Sequence, residues 1–545
     1  MKKDVLLIMG KFVIEGNNEL TKLINRSRLL GQDPNLVLYG GGNTSSKIEE
    51  LDHLGNKKTV LRIKGSGADL KTIGEDGFSG LYLEELLPLI NEEVMSDEEM
   101  VNYLAKCMVS ATERRPSIET LLHAFLKAKH VDHVHSDAIC ALTNHSNGEE
   151  TVKKVLGENV AFVPYLRPGF QLSKTVKQFE ESYAVVLEHH GLVTWGETHE
   201  ESYFKTIELE EKARKYIEQK NNVKHTEQAQ EELSIEERNS LILSLRGVLS
   251  KEQRQILYVD TSQKHLSNRD DVEIIANGGR STLEHILRIG KDSLVLSPID
   301  NVQEKVRAFR DDYENYFNQH VERIPAGYSI HSNINPRVGL IKGWGCFGAE
   351  ITLSGAKRCT EIAYHTHQVA ANVLDLFADI KTLSTEEIFD LDYWPLELYK
   401  LKLQPPVPSL AGYIVLFSDI SNALELQVLQ KVLRKGAHVV IQGEVNNEVL
   451  LLKEKYNSQI VTVKGDVNKA IQAAIDNFGG LDGVIVGEKN YLTVDELNHL
   501  NSIFKKQDLS GFVVTTQGVE NSYQSISIIE SKKDGLKGIS ELIGN

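Results

Sequence analysis

Four things are scarce in this chain of 545 residues. Cysteine occurs at only four scattered positions, Cys107, Cys140, Cys346 and Cys359. They form no paired framework, which argues against a disulfide scaffold and fits a reducing cytosol. Positive charge is outnumbered, with 61 Lys and Arg against 77 Asp and Glu and a net charge of −16. That balance argues against nucleic acid or an anionic membrane as partner. No stretch reaches the ~18 consecutive apolar residues of a membrane span. The start, MKKDVLLIMGKF, has an apolar run of only Val5 to Met9 with no small-residue cleavage site behind it. An export signal is therefore not expected, and the cytoplasm is the expected location. Proline is rare too, at 12 residues, yet three of them (Pro405, Pro406, Pro408) fall within four positions and make a stiff linker.

What is present suits a large α/β protein with several cores. Besides the proline linker, the polar run KNNVKHTEQAQEELSIEER after a long helix at Glu200–Gln219 reads as a solvated connector. These breaks divide the chain into 1–225, 226–404 and 409–545.

The strongest chemical signal is His133-Val134-His135, followed later by His189-His190-Gly191. Apolar flanks make both stretches read as strands. Side chains at i and i+2 leave one face of a strand, so His133 and His135 can close on one ion. Neighbours point to opposite faces, so only one of His189 and His190 can join. Three imidazoles with an open fourth position suit a catalytic divalent metal, usually zinc. The bland alternative, histidines hydrogen-bonded in a core, fits a lone His better than a same-face pair with a third in a second strand.

Fourteen residues before His133, the run Arg115-Pro116-Ser117-Ile118-Glu119 opens a helix, with Ile118, Leu121, Leu122 and Phe125 as its apolar stripe. Glu119 then lies in the first turn. A carboxylate there either stabilises the helix start or serves as a general base beside a Lewis-acid metal. Further upstream, Leu36-Val37-Leu38-Tyr39 reads as a short strand running into Gly40-Gly41-Gly42-Asn43-Thr44-Ser45. Leu61-Arg62-Ile63 likewise runs into Lys64-Gly65-Ser66-Gly67. Glycines let backbone N–H groups close on an anion, although such turns also join strands everywhere. The first loop is no Walker loop, since the Gly-Lys-Ser/Thr ending is missing.

Taken in this order, these motifs resemble the class II aldolase/adducin family over roughly residues 20–220. Its members include fuculose-phosphate and rhamnulose-phosphate aldolases and ribulose-phosphate 4-epimerase. The resemblance implies an α/β/α domain with His133, His135 and His190 as zinc (or other divalent metal) ligands and Glu119 as acid/base. It implies that Gly42, Asn43, Ser66, Gly67 and Ser117 bind a substrate phosphate. It also implies that Tyr165 protonates the aldehyde oxygen from a neighbouring subunit, hence a homo-oligomer, up to a tetramer. One departure is Ile118, where sugar-phosphate aldolases carry a second Ser. The implied reaction cleaves a ketose 1-phosphate, rhamnulose-1-phosphate-like, to dihydroxyacetone phosphate and an aldehyde through a metal-held enediolate. An epimerase or decarboxylase on the same fold, and a non-catalytic adducin-like interaction protein, are the alternatives.

In the middle segment, Pro336 to Gly348 and the helix behind it parallel Val185 to Trp195 and its helix, and Arg280-Ser281-Thr282-Leu283-Glu284-His285 parallels Arg115 to Thr120. This suggests a degenerate aldolase-like repeat without metal-ligand histidines. His365 and His367 lie in a helical pattern, where i and i+2 diverge by about 200°, so they are poor joint ligands. The stretch Arg280–Arg288 reads as a solvated helix face, with the alternative that it reaches the first domain's pocket.

The last segment alternates strand and helix patterns, with strands at Tyr413–Phe417, His438–Ile441, Ile460–Val463, Gly483–Val486 and Gly511–Val514. This Rossmann-like order, with Gly479-Gly480-Leu481-Asp482 and Gly465-Asp466-Val467, resembles the short-chain dehydrogenase half of bifunctional aldolase/dehydrogenase proteins. The dinucleotide loop departs from the pattern, reading Ser418-Asp419-Ile420-Ser421-Asn422-Ala423 where glycines should cradle a pyrophosphate. Gly487-Glu488-Lys489-Asn490 replaces the Asn-Asn-Ala-Gly strand end, and Tyr523 is followed four residues on by Ser527 rather than Lys. The expectation is a degenerate, truncated dehydrogenase half that binds no NAD(P).

Overall fold

Two compact units hold the chain in a computed structural model that describes residues 13–220, 232–396, 398, 405–488, 490–515 and 526–530. The apolar run Val5–Met9, most of the polar connector, part of the linker, Lys489 and Tyr523 lie outside the described residues. The first unit takes residues up to 220 together with 278–286 and 365–384; the second takes the rest. The segment read as 226–404 therefore contributes to both. Among the described residues no helix is long and apolar enough to cross a membrane.

The first unit is a seven-stranded sheet made of β1 (Asn43–Leu51), β2 (Lys57–Lys64), β3 (Phe78–Tyr82), β4 (His130–Val134), β5 (Val160–Val163), β6 (Ala184–Leu187) and β7 (Gly191–Gly196). Their order is β3-β2-β1-β4-β7-β6-β5, antiparallel throughout except for the β5/β6 pair. The central strand β4 is buried on both faces. Val131 packs on one side with Val185 and Val193, and Val134 on the other with Val186 and Leu192. That alternation is the period of two expected of a pleated strand. Beneath β4, Asp132 is held by Arg26 (Nε to Oδ1 2.9 Å), with both side chains fully buried.

Three sequence expectations are corrected in this unit. Leu36–Tyr39 forms no strand. Gly41 N–H closes a turn on Leu38 O, Tyr39 has φ 51°, and the strand begins only at Asn43. His189-His190 sits in the turn between β6 and β7, where His189 has φ 53° and His190 N–H bonds Leu187 O, so it is not part of a strand. Glu119 is the residue just before the helix Thr120–Phe125, not inside its first turn. Pro116 pairs with Gly65 in an extended bridge and delays the helix.

In the second unit, β8 (Ile256–Asp260), β9 (Leu294–Leu296), β10 (Val338–Ile341) and β11 (Gly345–Glu350) form a sheet of order β8-β11-β10-β9. Its outer pair β9/β10 is parallel and the others antiparallel. That is the order and direction of β4-β7-β6-β5, and a long helix (Leu353–Phe377) follows β11 as His199–Lys220 follows β7. Pairing registers match Val134 opposite Leu192 with Asp260 opposite Cys346. Val259, Thr261 and Trp344 therefore stand where His133, His135 and His190 stand in the first sheet. The likeness of Arg280–His285 to Arg115–Thr120 does not carry into three dimensions. The first lies after β8, whereas the second precedes β4.

The second unit also carries β12 (Ile414–Ser418), β13 (His438–Gln442), β14 (Ile460–Val463), β15 (Gly483–Val486), β16 (Gly511–Thr515) and β17 (Ile526–Glu530). All are parallel, in the Rossmann-like order β14-β13-β12-β15-β16-β17. Five of these strands are legible in the sequence. The sixth, ISIIE, pairs with β16 and was not expected.

Candidate metal centre

β4 and the β6/β7 turn bring three histidines to one point. His133 Nε2 lies 3.1 Å from His135 Nε2 and 3.2 Å from His190 Nε2. His133 is the fourth residue of β4, His135 follows directly after it, and His190 enters from the turn, while His189 stays outside the group. His133 Nδ1 is 3.1 Å from Leu192 O. A carbonyl can only accept, so the proton sits on Nδ1 and the lone pair on Nε2. Crowded imidazole lone pairs repel unless a cation lies among them, and the donor set fits a divalent ion with three His ligands.

Glu119 closes the fourth side. Its Oε1 is 3.4 Å from His190 Nε2 and 3.6 Å from His133 Nε2, and it is buried with no hydrogen-bond partner among the described residues. Its Oε2 accepts from Asn43 Nδ2 at 2.6 Å. Burial alone pushes the carboxyl up, but positive charge at the His133 and His190 site, together with the Asn43 hydrogen bond, outweighs it and holds the group down at about 2. The side chain makes no cap hydrogen bond to the helix it precedes.

Sequence reasoning missed His123. Its Nε2 is hydrogen-bonded to Asn43 Oδ1 and its Nδ1 lies 2.7 Å from Ser45 Oγ. Burial pushes this imidazole down to about 3. The neutral ring donates to the Asn43 carbonyl, which turns the amide N–H₂ toward Glu119. A polar residue among Leu121, Leu122, Ala124 and Phe125 was the available signal.

The anion loops converge as well. Lys64 Nζ, nearly fully buried, donates to Gly40 O (2.5 Å) and Gly42 O (2.8 Å) and gathers the first loop. Gly42 has φ 58°, and a methyl group there would meet His133 O at 2.7 Å, so the position demands glycine. Ser66 N–H bonds Arg115 O at 2.8 Å, and with the Gly65/Pro116 bridge this seats Ser66 and the exposed Gly67 beside Ser117. Ser117 Oγ lies 3.5 Å from Asn43 Nδ2 and accepts from Glu119 N–H at 3.2 Å. Ile118 packs against the core cluster of Leu121 and Phe125. Tyr165 follows β5, where its backbone N–H donates to Glu188 Oε2 at 3.0 Å; Glu188 in turn pairs with Lys381 at 2.6 Å.

The stretch Arg280–His285 is not a solvated face. Arg280, Ser281, Thr282 and His285 are buried in the first unit, and Glu284 Oε2 approaches Gly41.

A second cluster, Glu19, His130 and His199, also has ligand atoms within 4.8 Å of one another. Arg26 Nη1 lies 2.8 Å from His199 Nδ1, and a guanidinium only donates. His199 must therefore carry its own proton on Nε2, which removes that atom as a ligand.

At the C-terminal sheet, the turn after β12 is occupied by the protein itself. Glu425 Oε2 accepts from Ser421 N–H (2.6 Å) and Asn422 N–H (3.2 Å), and its Oε1 from Glu488 N–H (2.7 Å). Asp419 takes φ 92°, and its Oδ1 accepts from Ile420 N–H.

Residues 21–217 match the family described as Class II Aldolase and Adducin N-terminal domain, and residues 236–401 that described as Aldolase class II, second domain. A Bacillus subtilis (strain 168) protein named uncharacterized oxidoreductase YuxG is 33% identical over 502 residues, taking in 85% of this chain and 71% of that one. The solved N-terminal class II aldolase domain of a conserved Thermoplasma acidophilum protein is 42% identical, covering 38% of this chain and 97% of its own, with a TM-score of 0.37. An L-fuculose 1-phosphate aldolase is 19% identical, covering 38% of this chain and 89% of its own, with a TM-score of 0.27.

Proposed function

This chain belongs to the class II aldolase family, and from that premise we propose that it is a metal-dependent lyase cleaving a ketose 1-phosphate of the rhamnulose-1-phosphate type to dihydroxyacetone phosphate and an aldehyde. The observation that carries the reading is the meeting of three histidine Nε2 atoms, 3.1 and 3.2 Å apart, with Glu119 Oε1, unpartnered among the described residues. Zinc or a similar divalent ion held by His133, His135 and His190 would supply Lewis-acid polarisation of the substrate carbonyl.

The remaining chemistry falls to the chain's own side chains. Glu119 moves the proton at the carbon beside the carbonyl, and Asn43 aims its carboxylate. Backbone N–H groups at Gly42, Asn43 and Gly67, with the Ser66 and Ser117 hydroxyls, receive the substrate phosphate. Tyr165 from a second copy of the chain takes up the C4 hydroxyl proton as the C3–C4 bond breaks and the aldehyde leaves, and returns it to the aldehyde oxygen in the reverse direction, which makes the working form a homo-oligomer. The C-terminal sheet serves as a scaffold without NAD(P), because Glu425 already takes the N–H groups a pyrophosphate would need.

The test is to load the full chain with zinc, offer a panel of ketose 1-phosphates and assay released dihydroxyacetone phosphate. Release from at least one, slowed by ~10²–10⁴-fold in a Glu119→Gln variant, is expected. Epimerised or decarboxylated product without release would replace cleavage by its sister chemistry, and no turnover of any panel member would remove the lyase reading.

A further inference from the structure

We infer that Glu284, from the segment 278–286 outside the N-terminal family match, is a positioning residue for His135, accepting its Nδ1–H directly or through one water. The inference rests on the metal reading of the three histidines. A histidine that ligates through Nε2 carries its proton on Nδ1, and that N–H needs an acceptor to fix the ring's tautomer and aim. His133 has Leu192 O for this purpose. Among the described residues no carbonyl bonds His135 Nδ1, and this nitrogen and the Glu284 carboxylate both approach Gly41. A methyl group placed on Gly41 would lie 3.1 Å from His135 Nδ1 and 2.7 Å from Glu284 Oε2, so the ring nitrogen and the carboxylate oxygen flank a single point. Glycine at 41 keeps that space clear for the pair or for one bridging water.

The backbone that carries Glu284 is anchored through its neighbours. In the helix Leu353–Phe377, His365 Nδ1 pairs with Asp137 Oδ2, two residues beyond His135. The next residue, Thr366, has its Oγ1 2.7 Å from Nδ1 of His285, the neighbour of Glu284. Ser281 Oγ lies 3.0 Å from the same nitrogen. Consecutive helical residues thus tie the chain just beyond His135 and the segment that carries Glu284 to one helix. His285 is buried while Glu284 is half-buried, as befits a charged side chain opening onto a site.

Zinc affinity of the full chain, measured by competition with a chromophoric chelator, tests this without any turnover. Removing an outer-shell partner of a metal-bound histidine weakens binding by roughly 10- to 100-fold. That loss is expected for Glu284→Ala, whereas Glu284→Gln, whose amide oxygen still accepts, should stay within a few-fold of wild type. The cobalt-loaded Ala variant should also show a shifted visible spectrum. Gly41→Ala, which drives a methyl group between the two groups, should weaken zinc binding similarly and serves where Glu284→Ala does not fold. Wild-type affinity in Glu284→Ala, or equal loss in the Ala and Gln variants, overturns the inference while leaving the metal centre standing. A wild-type chain that binds no divalent metal overturns both.

Discussion

Asn43 presents its two amide atoms to two different partners, its Nδ2 to Glu119 Oε2 at 2.6 Å and its Oδ1 to the ring of His123. The amide cannot flip without losing both bonds. Glu119 is therefore oriented by a residue 76 positions away, which is itself oriented by a buried neutral imidazole. The order of influence runs from helix to strand to carboxylate, and it makes separate predictions for each member.

Glu119→Gln should keep the metal and lose activity by ~10²–10⁴-fold, the usual worth of a proton-transfer group. The amide fills the same space but cannot take a proton. Metal content and steady-state rates, measured on one preparation, check this together. Near wild-type turnover would return Glu119 to a structural role.

His123→Ala should lower kcat by on the order of 10- to 100-fold with metal content unchanged. The Asn43 carbonyl would be left buried and unsatisfied, a loss of roughly 1–3 kcal/mol. A drop in bound metal equal to the drop in rate would show that His123 supports the histidine trio and not Glu119.

Stability should decline on acidification through His438 in the second unit. Burial, then Arg246, pushes its imidazole down to about 4, and its Nε2 accepts from Leu353 N–H at 3.0 Å. The unfolded chain takes up the proton near pH 6.5, the folded chain only near 4, so the contribution is full above about 6.5 and is lost as the pH falls toward 4. Each pH unit in that window costs about 1.4 kcal/mol per such group. Urea midpoints at pH 7.5 and 5.5 should fall more steeply for wild type than for His438→Asn, and parallel declines would acquit His438.

Calorimetry of the full chain with NAD and NADP should show no micromolar binding. The N–H groups of Ser421, Asn422 and Glu488 are already spent on Glu425. Binding that appears only in Glu425→Ala would support this cause, and micromolar binding by the wild type would refute it.

Local pattern was enough to reveal much of this protein. His133 and His135 two apart behind an apolar run, the glycine loops and five of the six parallel strands depend on side-chain alternation and backbone freedom, which neighbouring residues set. The repeated hairpin was legible too, because Pro336–Gly348 and Val185–Trp195 encode the same strand-turn-strand-helix with the same spacing. The placement of His123 under Asn43, of Glu425 over its own helix start and of Glu284 beside His135 required the folded chain. Each joins residues through hydrogen bonds or space that no periodicity encodes. A helix face looks alike in sequence whether it meets water or another segment, so Arg280–His285 read as solvated until the buried bonds of Ser281 and His285 to Thr366 gave it a place. Distance along the chain carries no information about such contacts; only packing, which removes water and leaves each buried donor needing a partner, selects them.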